Sequence, residues 1–249
     1  MATFCITGSS DGIGRATAAR LLDAGHRVLV HARSAERGEP VLAELGGDVH
    51  LVTGDLSSLA DVRGLAAQIA AHGPLDGLVH NAGVWVRGST PRTTADGFET
   101  TFAVNVLAAH LLTALLADSL TGRLLWLGSG MAGSGRPDPA DPGRSTEPSR
   151  AYADSKAADV ALAGAWGRRL PRLASAAVDP GWVRTKLASA GAPGNVSTSA
   201  DSLSFLCTDA DLGSAPYWRG RSPIPVPRHL RDPAFQDRLA ATCDRLAGV

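Results

Sequence analysis

The sequence predicts a doubly wound α/β fold, a parallel sheet of about seven strands with helices on both faces. Two patterns point to it. Short apolar runs alternate with longer helical patterns along most of the 249 residues. Most of those runs are apolar on both sides, as strands covered on both faces must be. A third observation locates a site: "TGSSDGIG" at 7–14 follows the first apolar run directly and opens the first helical pattern.

The elements follow in order. Strands are expected at 3–7, 26–32, 48–54, 75–82, 122–129 and 173–180. Helices are expected at 12–24, closed by Gly25, at 35–45, closed by Gly46 and Gly47, and at 58–72, closed by Gly73 and Pro74. Ser58 is the expected N-cap of the third, since its hydroxyl can accept from a backbone N–H of the first turn. Longer helices are expected near 95–119 and 150–168, and beyond 215 a last strand, a proline-rich turn and a terminal helix. No linker composition divides the chain, so 1–249 reads as a single domain. The Pro- and Gly-rich stretch 130–150 reads as a long loop, of the kind that usually carries function.

Composition narrows the function. Lys plus Arg equals Asp plus Glu at 24 each, which argues against a polyanion-binding surface. Three dispersed cysteines suggest neither a disulfide framework nor a zinc site, and seven histidines show no metal-ligand spacing. Cys5, inside an apolar run, reads as a small core residue. The most apolar segment, 102–120, is interrupted by Asn105, His110, Thr113 and Asp118 and reads as a buried helix rather than a membrane span. With no signal peptide visible, the expectation is a soluble, cytoplasmic protein.

Position gives the glycine turn its meaning. Gly8 permits the sharp exit from the strand, Gly12 lets a pyrophosphate approach the backbone, and Gly14 lets the helix pack close to the sheet. The helix dipole then favours the anion. At the end of the second strand an acid would bind a ribose 2′-hydroxyl, but "VLVHARS" has Ala32 there, followed by Arg33 and Ser34. A guanidinium pairs with a 2′-phosphate, so NADP(H) is favoured over NAD(H), with Ser34 adding a hydroxyl. Asp11 puts an acid just before the second glycine of the turn, and Arg15 on the first helical turn is placed to offset it in part.

"YADSK" sets Tyr152 and Lys156 on one helix face. An ammonium beside a phenol favours the phenolate, which makes a poor acid–base useful near neutral pH. With Thr7 and the Gly-x-x-x-Gly-x-Gly spacing, this pair resembles the short-chain dehydrogenase/reductase family. Further motifs resemble the family in its order: "HNAG" at 80–83, "FAVNV" with Asn105, "LLWLGSG" with Ser129, and "DPGWVRT" at 179–185.

The resemblance implies a Rossmann domain, a catalytic tetrad of Asn105, Ser129, Tyr152 and Lys156, and no metal. It implies cofactor contacts from Thr7, Gly8, Ser10, Gly12, Ile13 and Gly14, then from Arg33, Ser34, Asp55 and Leu56. It adds Asn81, Ala82 and Gly83, the Tyr152–Lys156 pair, and Pro180, Gly181, Val183 and Thr185 at the nicotinamide. In that scheme Ser129 and Tyr152 hold the substrate oxygen, and Asn105 holds a water that resupplies the proton.

Ser129 and Tyr152 are 23 residues apart, a spacing that resembles the retinol-dehydrogenase-like and carbonyl-reductase-like branch, whose insertion there implies that 130–150 flanks the substrate. A mobile lid is expected at 186–203, within a second flanking loop over 186–215, and Trp85 and Trp182 are candidates to face a bulky substrate. The expected function is hydride transfer between NADP(H) and a small-molecule carbonyl or alcohol. A catalytically silent NADP(H)-binding sensor or scaffold of the same fold is the alternative. A sugar-nucleotide epimerase is disfavoured by the glycine spacing and the chain length. No nucleic-acid or membrane partner is expected, and the resemblance allows a homodimer or homotetramer.

Overall fold

The computed structural model describes residues 1–88, 92–187, 191–213 and 215–249. Its sheet runs in the order β3-β2-β1-β4-β5-β6-β7-β8. Strands β1 (Thr3–Ile6), β2 (Arg27–Ala32), β3 (Val49–Thr53), β4 (Leu75–His80), β5 (Leu120–Leu127), β6 (Ala174–Asp179) and β7 (Tyr217–Arg219) are parallel. The expected seven are therefore present. An eighth, β8 (Ser222–Pro223), is a two-residue antiparallel edge too short to read from sequence. Strand order reverses between β1 and β4, and a crevice opens there at the carboxyl ends of the strands, the usual place for a ligand in such a sheet.

Alternation along the strands divides the core in two. Cys5, Leu29, Leu78, Leu124 and Trp126 face one side, while Phe4, Ile6, Val30, Val79 and Leu125 face the other. Helices α1 (Gly12–Asp23), α2 (Ala35–Leu45) and α3 (Leu59–Ala70) fall within a residue or two of expectation. Ser58 caps α3, its hydroxyl accepting from Asp61 N at 3.2 Å. The apolar segment forms α4 (Thr100–Phe102), a π-helical turn (Ala103–Leu107) and α5 (Ala108–Leu116). The helical run Thr100–Ser119 is apolar enough to span a membrane, with mean hydropathy 1.7, but 78% of its apolar window is buried inside the fold.

Helix α6 (Pro148–Arg169) is rich in alanine, so it lies close on the sheet and buries Ala157, Ala161 and Ala165 completely. Its Asp154 pins the preceding segment, accepting from Arg136 N at 2.6 Å and from the Ser145 hydroxyl. Helix α7 (Val196–Thr208) packs on α1, and α8 (Pro233–Ala247) lies across α5 and α6. In that last contact His110 Nε2 donates to Asp244 at 2.7 Å, and Arg169 holds both Asp244 oxygens.

The structure corrects one expectation. Residues 196–203 lie within helix α7 rather than in a loop, started by Asn195, whose side chain accepts from Ser197 N at 2.7 Å. The alanines and serines that suggested a loop are tolerated in a helix once it is capped. Residues 188–190 of the expected lid, and 214 of the wider loop, lie outside the described residues.

Candidate active site

A cavity of about 910 Å³ occupies the crevice and runs from the ends of β2 and β3 to those of β5 and β6. The glycine turn forms its floor through Gly8, Ser10, Gly12 and Ile13. Gly8 and Gly12 have φ of 62° and 58°, in the left-handed region that favours glycine. At Gly8 a Cβ would also sit 2.8 Å from Ala82 Cα, so the first and fourth βα turns touch there. Asp11 caps α1, accepting from Gly12 N at 2.8 Å, and pairs with Lys186 at 2.6 Å across the cavity mouth. The Lys186 hydrogen bond holds its carboxyl below the usual carboxylate range. Arg15 pairs with Glu44, and its charge still lowers the Asp11 carboxyl, as the smallest of the contributions.

Asp55, Leu56, Arg33 and Arg37 form one end of the cavity. Arg33 is largely exposed, with Nε 3.8 Å from Asp55. Asp55 also accepts from Ser57 N and its hydroxyl at 2.9 and 2.7 Å. Burial raises the Asp55 carboxyl, but the Ser57 hydrogen bonds and the Arg33 charge outweigh it and leave the group below its ordinary value. Arg37 escaped the sequence reading, although Arg33 plus four on a helix start was a usable signal. His31 escaped it too. Its Nδ1 accepts from Gly8 N at 2.9 Å and its Nε2 donates to Gly54 O at 2.9 Å, which fixes one neutral tautomer. Burial keeps that imidazole below its ordinary pKa.

Asn81, Ala82 and Gly83 line the middle of the cavity. The Asn81 amide donates to Thr7 O and Gly8 O at 2.8 and 3.1 Å, and Thr7 Oγ1 accepts from Ala82 N at 3.0 Å. A Cβ on Gly14 would stand 2.4 Å from Asn81 Nδ2, so Gly14 serves the close approach of α1. Thr7 and Gly14 therefore support the wall rather than line it. Ser34, the N-cap residue of α2, also lies off the cavity wall.

Ser129, Tyr152 and Lys156 come together at the far end. Ser129 ends the β5 segment and caps the turn Gly130–Gly133, its hydroxyl accepting from Met131 N at 3.2 Å. Tyr152 and Lys156 project from the first turns of α6. The phenol stacks on Trp85, with ring centroids 4.7 Å apart and planes 10° off parallel. Lys156 is 4% exposed, and its Nζ donates to Leu127 O at 2.7 Å and to Asp159 at 2.9 Å.

Asn105 sits in the π-helical turn, an irregularity frequent at functional sites. Its Oδ1 accepts from Val84 N at 2.7 Å, and its Nδ2 donates to Val84 O and Ser155 Oγ at 3.0 and 2.9 Å. It is buried behind the cavity wall and clamps the segment after β4. A Cβ on Gly83 would lie 3.5 Å from Asn105 Oδ1 and 3.6 Å from Lys156 Nζ, so the bare glycine leaves a gap over the ammonium.

Pro180, Gly181, Val183 and Thr185 line the wall after β6. There Asp179 is held by Gly181 N at 2.9 Å and Arg219 Nε at 2.8 Å. Trp182, 59% exposed, and Trp85 both face the cavity, and the guanidinium of Arg87 lies 4.7 Å from the centre of the Trp85 indole. The long segment 130–150 contributes only Gly130 and Met131 to the lining, because the remainder is fastened to α6 by Asp154 and packs Gly143 against Phe102. Among the described residues of the second expected loop, only Lys186 and Leu187 line it.

The cavity fits a dinucleotide. A helix start and glycine backbone serve a pyrophosphate, guanidinium groups mark one end, and the gap over Lys156 offers an ammonium to ribose hydroxyls. Fold and site thus define a dinucleotide-binding α/β protein, and the comparisons specify which. The short chain dehydrogenase family model matches residues 2–194, and the chain belongs to that family of nicotinamide-dependent oxidoreductases. The uncharacterized oxidoreductase AN7799 of Emericella nidulans is 33% identical over 100% of this chain and 98% of its own length. Mouse retinol dehydrogenase 14 is 35% identical over 74% of this chain and 62% of its own, in keeping with the retinol-dehydrogenase-like branch. A short-chain dehydrogenase from Burkholderia cenocepacia, solved with NADP, superposes with a TM-score of 0.72 at 28% identity, covering 87% of this chain and 94% of that one.

Proposed function

We propose that this short-chain dehydrogenase is an NADP(H)-dependent carbonyl reductase or alcohol dehydrogenase acting on a bulky organic substrate. The observation that carries the reading is one cavity with Ser129, Tyr152 and Lys156 at one end and Arg33 and Arg37 at the other. The nicotinamide, when bound, supplies or accepts the hydride. Ser129 Oγ and Tyr152 Oη hold the substrate oxygen, and Tyr152 moves a proton to or from it. Lys156 anchors the ribose and keeps positive charge beside the phenol. Asn105 fixes the chain that presents Gly83. Trp182, Met131 and Leu187 give the mouth its apolar surface, which favours large or aromatic carbonyl compounds.

Cofactor choice rests on the two guanidinium groups, with Asp11 neutralised by Lys186. NADPH is expected to bind at least tenfold more tightly than NADH, a difference of about 1.4 kcal/mol. Replacing Arg33 and Arg37 together with alanine should weaken NADPH about tenfold or more and leave NADH within about twofold. Paired fluorescence titrations measure this, and equal loss for both cofactors would sink the assignment.

The chain is proposed to act as a monomer, because α8 already covers α5 and α6 with Leu239, Ala240 and Cys243 fully buried. Sedimentation should give a single species near 25.6 kDa. A stable dimer at micromolar concentration would contradict it.

A further inference from the structure

One charged group beside the site has no part in the scheme above. Asp159 lies on α6 three residues after Lys156 and is 2% exposed. Its Oδ2 accepts from Lys156 Nζ at 2.9 Å, while Oδ1 is buried with no hydrogen-bond partner among the described residues. Burying a carboxylate with one bare oxygen is costly, so its charge must be used by what it faces.

Few groups face this pair. From α6 itself comes Tyr152, its ring centre 5.9 Å from Lys156 Nζ. From α8 comes the Cys243 thiol, pushed up to about 12 mainly by burial and then by the Asp244 charge, with Asp159 the smallest contributor. The end of β5 offers the neutral Leu127 carbonyl at 2.7 Å, and the π-helical turn offers the neutral Asn105 amide across Gly83. No second cation among these shares the burden. An ammonium has three protons, of which Leu127 and Asp159 take two.

We propose that Asp159 is a positioning residue of the hydride-transfer site, holding Lys156 Nζ at the end of β5 as an ammonium with one N–H left for the cavity. The proposal rests on the reductase reading of the same site. Burial alone drives a lysine toward the neutral amine, which could neither anchor ribose hydroxyls by charge nor favour a phenolate. Here burial is the largest single effect, but the Asp159 charge, the Tyr152 phenol and the Asp159 hydrogen bond together outweigh it and leave Lys156 above its ordinary value. Burial in turn raises the Asp159 carboxyl to about 6, against the Lys156 charge and hydrogen bond, which favour the ionised pair.

The chain contains two lysines, Lys156 and Lys186, so Lys186→Arg leaves a single lysine signal. The 13Cε shift of Lys156 is followed with pH in that background, with and without Asp159→Asn. With Asp159 present, the ammonium signal should persist beyond about pH 10.4, where a free lysine titrates. In Asp159→Asn the midpoint should fall by about two units. An unchanged midpoint in the variant overturns the proposal. So does a midpoint at or below the free-lysine value in the parent, a result readable even if the variant fails to fold. In parallel, turnover of Asp159→Asn should fall away at alkaline pH where the parent remains active, with the carbonyl KM within about threefold, the pattern for loss of a charge rather than of binding. A pH profile parallel to the parent's also overturns it. The lysine titration uses neither cofactor nor substrate, so failure of the reductase reading is a separate result.

Discussion

Tyr152→Phe is expected to fold like the parent and to lose about 10²–10⁴-fold in carbonyl reduction, the range for removing a positioned general acid. Only the hydroxyl departs. The ring is 7% exposed and keeps its stack on Trp85, so the surrounding packing has no cause to move. NADPH affinity should stay within about threefold, since the groups that hold the two ends of the cofactor are untouched. Single-turnover oxidation of bound NADPH separates the two quantities. Retained turnover in this variant would remove Tyr152 from the chemistry.

Trp126→Ala carries the largest expected loss of stability. Trp126 is fully buried in β5, paired with His80 of β4 and Ala177 of β6, and its ring lies 4.5 Å from the His80 imidazole. Its indole N–H has no hydrogen-bond partner among the described residues, so the residue is held by packing. Removing an indole from such a position costs about 3–5 kcal/mol. For a chain of this size the melting temperature should fall by about 10 °C. Trp182→Ala is the matched control, because Trp182 is exposed at the cavity mouth and its loss should stay within about 0.5 kcal/mol. Differential scanning fluorimetry compares them, and equal shifts would contradict this placement of the core.

The frame of the fold was legible because each parallel strand is covered on both faces and each early helix carries its own stop. Gly25 and Gly46 end α1 and α2 where they were expected to. The site was legible where one residue type suits the local chemistry, as with Gly8, Gly12 and the Tyr152–Lys156 pair. Contacts that depend on burial or on distant segments were not. Asp159 is visible in the sequence as Lys156 plus three, but nothing local says that both are buried. His31 reads as one polar residue in an apolar strand, and only the packed sheet brings it under Gly8. The 130–150 stretch has loop composition and is irregular between the turn Gly130–Gly133 and the start of α6, yet Asp154 ties it to α6 and most of it never reaches the cavity. Composition reports what a segment can tolerate; tertiary contacts decide what it lines.

The most direct measurement is transfer of deuterium from nicotinamide-C4-labelled NADPH to a panel of bulky ketones and aldehydes, read by mass spectrometry of the alcohols. The expected result is one deuterium in the alcohol product with the parent protein and none above background with Tyr152→Phe. Tight NADPH binding with no deuterium transfer to any member of the panel would contradict the reductase and favour a silent NADP(H)-binding sensor.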